Sequence, residues 1–318
     1  MTAQIIDANI NRVAEGLRVI EDFLRFIVKH KPLTNQLSKL RKTINESEDN
    51  KTNHLMARQT ENDMRAKEIP RSRSSLKDLL IANFKRVEEG LRVLEEYTGN
   101  PIYNAARYDT YMLEKNVILL AEKPPIQHGI YLISSEIDIL REGMKWGCSL
   151  VQLRDKAATK DQIYNKASQL KAAASQFKVP WIINDFIDIA QLLDADGLHT
   201  GQDDLPISRL RQLMGEHKLL GRTTHCLEQG LIAQNDGADY VSVGPLWETP
   251  SKPGRSGIGF EYLNQATDRL QIPYVAIGGI NQTNIEQVMN FSPPLVGVIR
   301  DYKAIPKWQN TYFKTVNK

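Results

Sequence analysis

Trp181-Ile182-Ile183-Asn184-Asp185 and Gly197-Leu198-His199-Thr200-Gly201-Gln202-Asp203-Asp204 carry the reading of this chain. Each stretch starts as a short apolar run and ends on an acid. The residues between them, 187–194, have the spacing of an amphipathic helix. Together they predict a strand–helix–strand unit with Asp185 and Asp204 at the same end of a parallel sheet. An isolated Asp in such a place commonly caps a helix. A pair of hard carboxylate ligands at neighbouring strand tips also suits Mg²⁺, which takes one or two carboxylates and completes its shell with phosphate oxygens and water.

Alternating patterns extend this unit in both directions. Strands are expected at 130–134, 150–154, 181–184, 197–199, 219–223, 240–243, 274–277 and 296–299. Helical patterns separate them, at 138–146, 162–177, 207–214, 228–235, 260–270 and 284–291 among others. Eight β/α units in about 190 residues fit a compact (β/α)₈ TIM barrel. A doubly wound open sheet is the rival, but its Gly-x-Gly-x-x-Gly turn after the first strand is absent. In an α/β barrel the chemistry gathers at the C-terminal strand ends, so the residues there belong together.

Upstream of Pro124-Pro125 the pattern is helical throughout, which predicts an all-α domain over 1–123 ahead of the barrel over 124–318. The segment 8–22, ANINRVAEGLRVIED, returns at 82–96 as ANFKRVEEGLRVLEE, with ten of fifteen positions identical. Ile6, Ile10, Val13, Leu17, Ile20, Leu24 and Ile27 form an apolar stripe, and Phe84, Val87, Leu91 and Leu94 repeat its phase. Gly16 and Gly90 sit at the edge of that stripe, where glycine costs about 1 kcal/mol relative to alanine. Matched glycines imply two helices crossing closely about a pseudo-twofold axis. Arg12/Glu15 and Arg86/Glu89 are spaced for surface ion pairs. Further helices are expected at 33–44 and 109–120. The polar stretch 45–75 reads as a long loop, with its arginines either solvated or lining a phosphate site.

The 318 residues are 41% hydrophobic and 25% charged, an ordinary water-soluble balance. No apolar run approaches the ~20 residues that span a bilayer, and the first residues lack the basic-then-apolar order of a secretory signal. A cytoplasmic protein without a membrane partner is expected. Residues 1–123 hold 21 Lys/Arg against 18 Asp/Glu, and 124–318 hold 20 of each. No dense basic patch invites nucleic acid. Cys148 and Cys226 lie outside metal-ligand spacing and read as reduced, buried thiols.

The strand ends form a constellation. Gln152, Arg154 and Lys156 share one direction by alternation. Asn184 and Asp185 end the third strand, and Asp204 follows the fourth. Arg222, Thr223, Thr224 and His225 end the fifth. The sixth opens a loop containing Thr249, Ser251 and Lys252. Gly278-Gly279 follows the seventh strand, and Ile299-Arg300 ends the eighth, where such barrels commonly hold a phosphate. This predicts two anion sites: one on the glycines and Arg300, one on Lys156, the 249–252 group and a metal. With no general base evident, ionisation of a diphosphate leaving group is the chemistry these residues suit. His199 and His225 are either acid/base groups or packed structural residues.

These motifs, over residues 126–300, occur in the order and spacing of the thiamine-phosphate synthase family, which the chain closely resembles. The resemblance implies condensation of hydroxymethylpyrimidine diphosphate with thiazole phosphate, giving thiamine phosphate and pyrophosphate with Mg²⁺ as cofactor. It implies Asp185 and Asp204 as metal ligands, and Gln152, Arg154, Lys156 and Asn184 around the pyrimidine diphosphate. Thr249, Ser251 and Lys252 would meet phosphates, and Gly279, Ile299 and Arg300 the thiazole phosphate. Thr223 takes the place of the family's active-site serine, and with Lys156 and Lys252 makes the expected catalytic set. Departures are Arg222 and Thr223 where a small residue and serine are usual, Ser251 for threonine, and Arg300 for serine. A thiazole tautomerase or a regulatory phosphate-binding barrel is the alternative, though neither needs the acid pair. Over 3–120 the chain resembles the helical domain fused ahead of this synthase and proposed as an alternative hydroxymethylpyrimidine-phosphate kinase. A kinase, a scaffold and a dimerisation module all remain open for it, as does a homo-oligomer for the whole chain; no P-loop is present.

Overall fold

The computed structural model describes residues 2–47, 51–58, 72–249 and 256–313. It contains two compact units, Met1–Glu122 and Lys123–Lys318. Among the described residues, no helix is long and apolar enough to cross a membrane.

The first unit is helical: α1 Thr2–Asp22, continued by a π-helical turn Phe23–Val28, then α2 Lys31–Glu46, α3 Lys51–Met56, α4 Leu76–Thr98 and α5 Pro101–Ala121. Local signals fix the ends of α4. Ser75 accepts a hydrogen bond from the Asp78 N–H at its start, and Gly99, at φ 65°, closes it in the left-handed region. The repeated segments lie in α1 and α4 and cross at their glycines. A Cβ on Gly16 would stand 2.8 Å from Val87 Cγ2, and one on Gly90 2.7 Å from Val13 Cγ2. Those reciprocal contacts are the pseudo-twofold axis, and glycine there lets the backbones approach.

The polar positions of the repeat also match. Asn9 and Asn83 are buried, each donating to the carbonyl four residues back and each accepting from an arginine, Arg12 or Arg86, at 3.1 Å. The arginines therefore serve the buried amides, not the Glu15 and Glu89 pairings their spacing suggested. Glu21 and its counterpart Glu95 are held by arginines of the following helices, Arg41 at 3.0 Å and Arg107 at 3.1 Å. The expected loop over 45–75 is interrupted by α3. Arg58, just after α3, forms a two-bonded ion pair with Asp7, both at 2.8 Å, so it closes onto α1. Arg71 lies outside the described residues.

The second unit is a closed parallel barrel, β1-β2-β3-β4-β5-β6-β7-β8. The strands are β1 Gly129–Ser134, β2 Leu150–Leu153, β3 Trp181–Asn184, β4 Gly197–Thr200, β5 Leu219–Thr224, β6 Tyr240–Val243, β7 Tyr274–Ile277 and β8 Leu295–Val298. Outside run α6 Ile137–Lys145, α7 Lys160–Phe177, α8 Ile187–Leu192, α9 Ile207–Met214, α10 Leu227–Asn235, α11 Glu261–Arg269, α12 Ile285–Met289 and α13 Ile305–Trp308. Alternation along each strand divides the core. Residues such as Val151, Ile183, Leu198 and Val241 pack outward under the helices. Tyr131, Leu150, Ile182, Leu219, Tyr240, Val275 and Leu295 fill the lumen. This packed floor leaves the strands' C-terminal ends as the open mouth. Cys148 is buried as expected, and burial pushes its thiol up to about 12. Cys226 corrects the expectation: it stands at the start of α10 and is exposed.

Candidate active site

The mouth contains two adjoining chambers. The deeper is lined by Gln152, Arg154, Asn184, His199, Thr223, Ser242 and Thr249, with Ile133, Ile277 and Ile299 as apolar wall. The second is lined by Thr249, Gly278, Gly279, Asn281, Ile299 and Arg300. The two share Thr249, Ile277, Gly278 and Ile299. Gln152, Arg154, Asn184, Thr223, Thr249, Gly279, Ile299 and Arg300 thus line one chamber or the other, whereas Lys156, Asp185 and Asp204 line neither. Ser251 and Lys252 lie outside the described residues.

Asp185 stands at φ 63°, the left-handed region that few side chains other than Asn and Asp visit. Its N–H donates to the His199 carbonyl at 2.9 Å, and the next N–H, of Phe186, donates to the Asn184 carbonyl at 2.8 Å. The chain therefore turns sharply off β3 before α8 begins. Burial, then the nearby Asp204, push the Asp185 carboxyl above the usual carboxylate range, against the pull of Lys156 and Arg154. Two repelling acids with two cations beside them are held in one place. Among the described residues no cluster of three or more His, Cys, Asp or Glu could hold a metal. The pair alone is nonetheless a fitting donor set for Mg²⁺, whose other positions phosphate and water can fill.

Asp204 is fixed by its loop. Its carboxylate accepts from the Gly201 N–H at 2.6 Å. Arg222, 8% exposed, reaches from β5 and donates to Thr200 Oγ1 and the Leu205 carbonyl at 3.0 Å, and to the Asp204 carbonyl at 3.3 Å. Sequence reading registered Arg222 only as a departure. Its outward phase on β5, one residue before the inward Thr223, was the available sign that it serves the loop behind the mouth.

Gln152 is 1% exposed, and its side-chain nitrogen has no hydrogen-bond partner among the described residues. A buried unpaired donor facing a cavity is costly without an acceptor, so the deep chamber is shaped for a ligand that brings one. Lys156 lies beyond the end of β2 and is exposed, its charge felt at Asp185. Asp155, between the cations, is engaged by Lys166 at 2.8 Å and by the N–H groups of Ala157 and Ala158. It shapes the loop and leaves Arg154 and Lys156 to the mouth.

Gly278 and Gly279 have φ of 104° and 73°, and Cβ atoms there would meet Pro245 at 2.4 Å and Trp247 at 2.7 Å. Only glycine fits both the conformation and the space. Asn281 and Asn284 each donate to the Gly279 carbonyl, at 3.2 and 2.9 Å, so the turn is held from beneath. Arg300 is exposed at the rim. Of the two histidines, His225 is tied through Nδ1 to the Gly244 carbonyl at 2.5 Å. His199 is packed in the lumen, stacked on Tyr240 with ring centroids 5.6 Å apart.

Comparison with known proteins gives a consistent picture. Residues 129–301 match the family model for thiamine monophosphate synthase, and residues 4–116 match that of the ThiD2 family. The thiamine-phosphate synthase of Thermosynechococcus vestitus is 38% identical, covering 95% of this chain and 90% of the relative. That of Synechocystis sp. is 36% identical over 94% and 90%. Among solved structures, a thiamine phosphate pyrophosphorylase from Pyrococcus furiosus is 27% identical with a TM-score of 0.53, covering 60% of this chain and 96% of its own.

Proposed function

The chain belongs to the thiamine-phosphate synthase family, a family of transferases, and on that premise we propose how its barrel mouth divides the work. Hydroxymethylpyrimidine diphosphate occupies the deep chamber and thiazole phosphate the glycine-lined one. The single observation that carries this assignment is the set Asp185, Asp204, Arg154 and Lys156, acids and cations acting on one another beside a chamber whose buried Gln152 amide nitrogen lacks a partner among the described residues.

Gln152 and Asn184 hold the pyrimidine ring through its nitrogen atoms and amino group, and Arg154 and Lys156 hold the diphosphate. Thr223 presents its hydroxyl to the same substrate. Thr249, Ser251 and Lys252 would contact the phosphates, Lys252 joining Lys156 against the departing charge. Asp185 and Asp204 would hold Mg²⁺, which when bound neutralises the diphosphate and makes it a better leaving group. The bond from the pyrimidine methylene carbon to oxygen breaks, and the electron pair leaves with pyrophosphate. The thiazole nitrogen supplies the pair for the new carbon–nitrogen bond. No proton need be removed, so the reaction needs no general base.

Gly279 and Arg300 hold the thiazole phosphate, and Ile299 and Ile277 give its ring an apolar wall. A thiazole tautomerase or regulatory barrel would use that second chamber alone and would not require the acid pair. The helical unit, as a ThiD2 family match, is the candidate source of the pyrimidine diphosphate by phosphoryl transfer to the monophosphate. We place the protein in the cytoplasm. The test is direct: full-length protein with both substrates and Mg²⁺ should release pyrophosphate and form thiamine phosphate in equal amounts. Pyrophosphate release that does not depend on thiazole phosphate, with no thiamine phosphate formed, would refute the two-chamber assignment.

A further inference from the structure

A chain of polar groups runs through the packed lumen beneath the mouth. Tyr131 Oη lies 2.8 Å from Tyr240 Oη, which lies 3.2 Å from His199 Nδ1. His199 Nε2 in turn lies 3.0 Å from Thr223 Oγ1. Strand register builds this line: His199 on β4 is level with Gly221 on β5, which is level with Tyr240 on β6. Gly221 has to be glycine for the line to exist, since a Cβ would stand 2.2 Å from the Tyr240 ring and 2.5 Å from His199 Nδ1.

A neutral imidazole carries one N–H, on Nδ1 or on Nε2, and each choice sets the protons along this line. If Thr223 donates to Nε2, then Nδ1–H donates to Tyr240, and either tyrosine can donate to the other. The hydroxyl hydrogen of Tyr131, or else that of the fully buried Tyr240, is then left over. Tyr131 also borders the deep chamber, but it is 1% exposed against 8% for Thr223, and among the described residues its hydroxyl meets only Tyr240. A buried unsatisfied donor bears its full desolvation cost. In the opposite direction Tyr131 donates to Tyr240, Tyr240 to Nδ1, and Nε2–H to Thr223. The leftover hydrogen is now on Thr223, which lines the deep chamber and can give it to a ligand.

We propose that Tyr131, Tyr240 and His199 are positioning residues that hold His199 as its Nε2–H tautomer and so oblige the Thr223 hydroxyl to act as a donor toward the substrate. A hydroxyl that gave its hydrogen to His199 would turn lone pairs toward an anionic diphosphate. One that accepts from His199 turns its hydrogen there. The inference rests on the reading that Thr223 faces the pyrimidine diphosphate, but the tautomer itself belongs to the protein without substrate.

The experiment is ¹⁵N NMR of the full-length protein labelled at histidine, with the His199 signals identified by their loss in His199→Gln and, independently, by their shift in Tyr240→Phe. The expected result is a protonated Nε2 and an accepting Nδ1; a protonated Nδ1 overturns the proposal whether or not the protein makes thiamine phosphate. Tyr240→Phe, nearly isosteric, should lower kcat about tenfold, the worth of one buried hydrogen bond, and leave KM for thiazole phosphate unchanged. Tyr131→Phe should cost less, because Tyr240 still donates to Nδ1. Thr223→Ser should retain turnover while Thr223→Val loses it. Equal kcat for wild type and Tyr240→Phe would count against the relay, and absence of activity in the wild type would count only against the synthase reading.

Discussion

Arg222→Met tests the support beneath the acid pair. The substitution keeps most of the aliphatic stem and removes three hydrogen bonds, to Thr200 Oγ1, the Leu205 carbonyl and the Asp204 carbonyl. Bonds from a charged donor are each worth about 1.5–3 kcal/mol. Asp204 and Leu205 are exposed, so their carbonyls regain water and the lower figure applies, giving about 4–5 kcal/mol in all. Against this stands relief from burying the guanidinium, whose charged form burial already disfavours, at several kcal/mol for an unpaired ion and less for one half-satisfied. A net loss of about 2 kcal/mol is expected, concentrated in the 201–205 loop because all three acceptors lie there or beside it. At 1.4 kcal/mol per decade this is about a 30-fold penalty on ordering Asp204. The Mg²⁺ concentration that half-saturates pyrophosphate release should therefore rise by about 10- to 30-fold, with much of kcat recovered at high Mg²⁺. KM for thiazole phosphate should not move. A folded Arg222→Met protein with the wild-type Mg²⁺ dependence would refute the reasoning.

Asp185→Asn should reduce turnover at least 100-fold yet raise the melting temperature slightly at pH 7. The folded carboxyl is pushed up by burial and by Asp204, so its charge destabilises the native state above the unfolded pKa, and Asn tolerates the left-handed backbone equally well; a melting temperature that falls would contradict the account of that site. Lys156→Ala should raise KM for the pyrimidine diphosphate, and Arg300→Ala that for thiazole phosphate, each by about tenfold as for one lost charged contact. Steady-state kinetics with each substrate varied in turn would expose the error if both variants affected the same one. Gly90→Ala gains about 1 kcal/mol of helix propensity but drives a Cβ to 2.7 Å from Val13. Overpacking of about 1–3 kcal/mol should win, and denaturant melts of the variant would show a net loss. Gly16→Ala, at the mirror contact, should behave alike, and a stabilised variant at either position would remove the close crossing.

The strand positions were legible from the chain alone because alternation is local: Trp181–Asn184, Tyr240–Val243 and Tyr274–Ile277 fall where their apolar runs place them. So were the helical first unit and its crossing, since a repeat preserves both the apolar phase and the matched glycines. The mouth residues followed from one general property of parallel barrels, that strand ends collect, so Gln152, Asn184, Thr223 and Gly279 could be named without coordinates. What the chain could not display is contact set by register. Arg222 serves a loop some twenty residues before it, and Tyr131 meets Tyr240 across 109 positions. The phase of Arg222 on β5 points it outward and that of Tyr131 on β1 points it inward, but phase alone does not name the groups either one meets. Short helices such as α3 escape for a related reason: six residues carry too little periodicity to register. Cys226 was misjudged because exposure at the start of α10 depends on what packs beside it, not on the thiol's own preference for burial. The sequence thus determined which side chains point into the lumen. Closure of the barrel decided which of them touch, because only the stagger between strands sets His199 and Tyr240 level with Gly221, within reach of Thr223, and puts Arg222 behind Asp204.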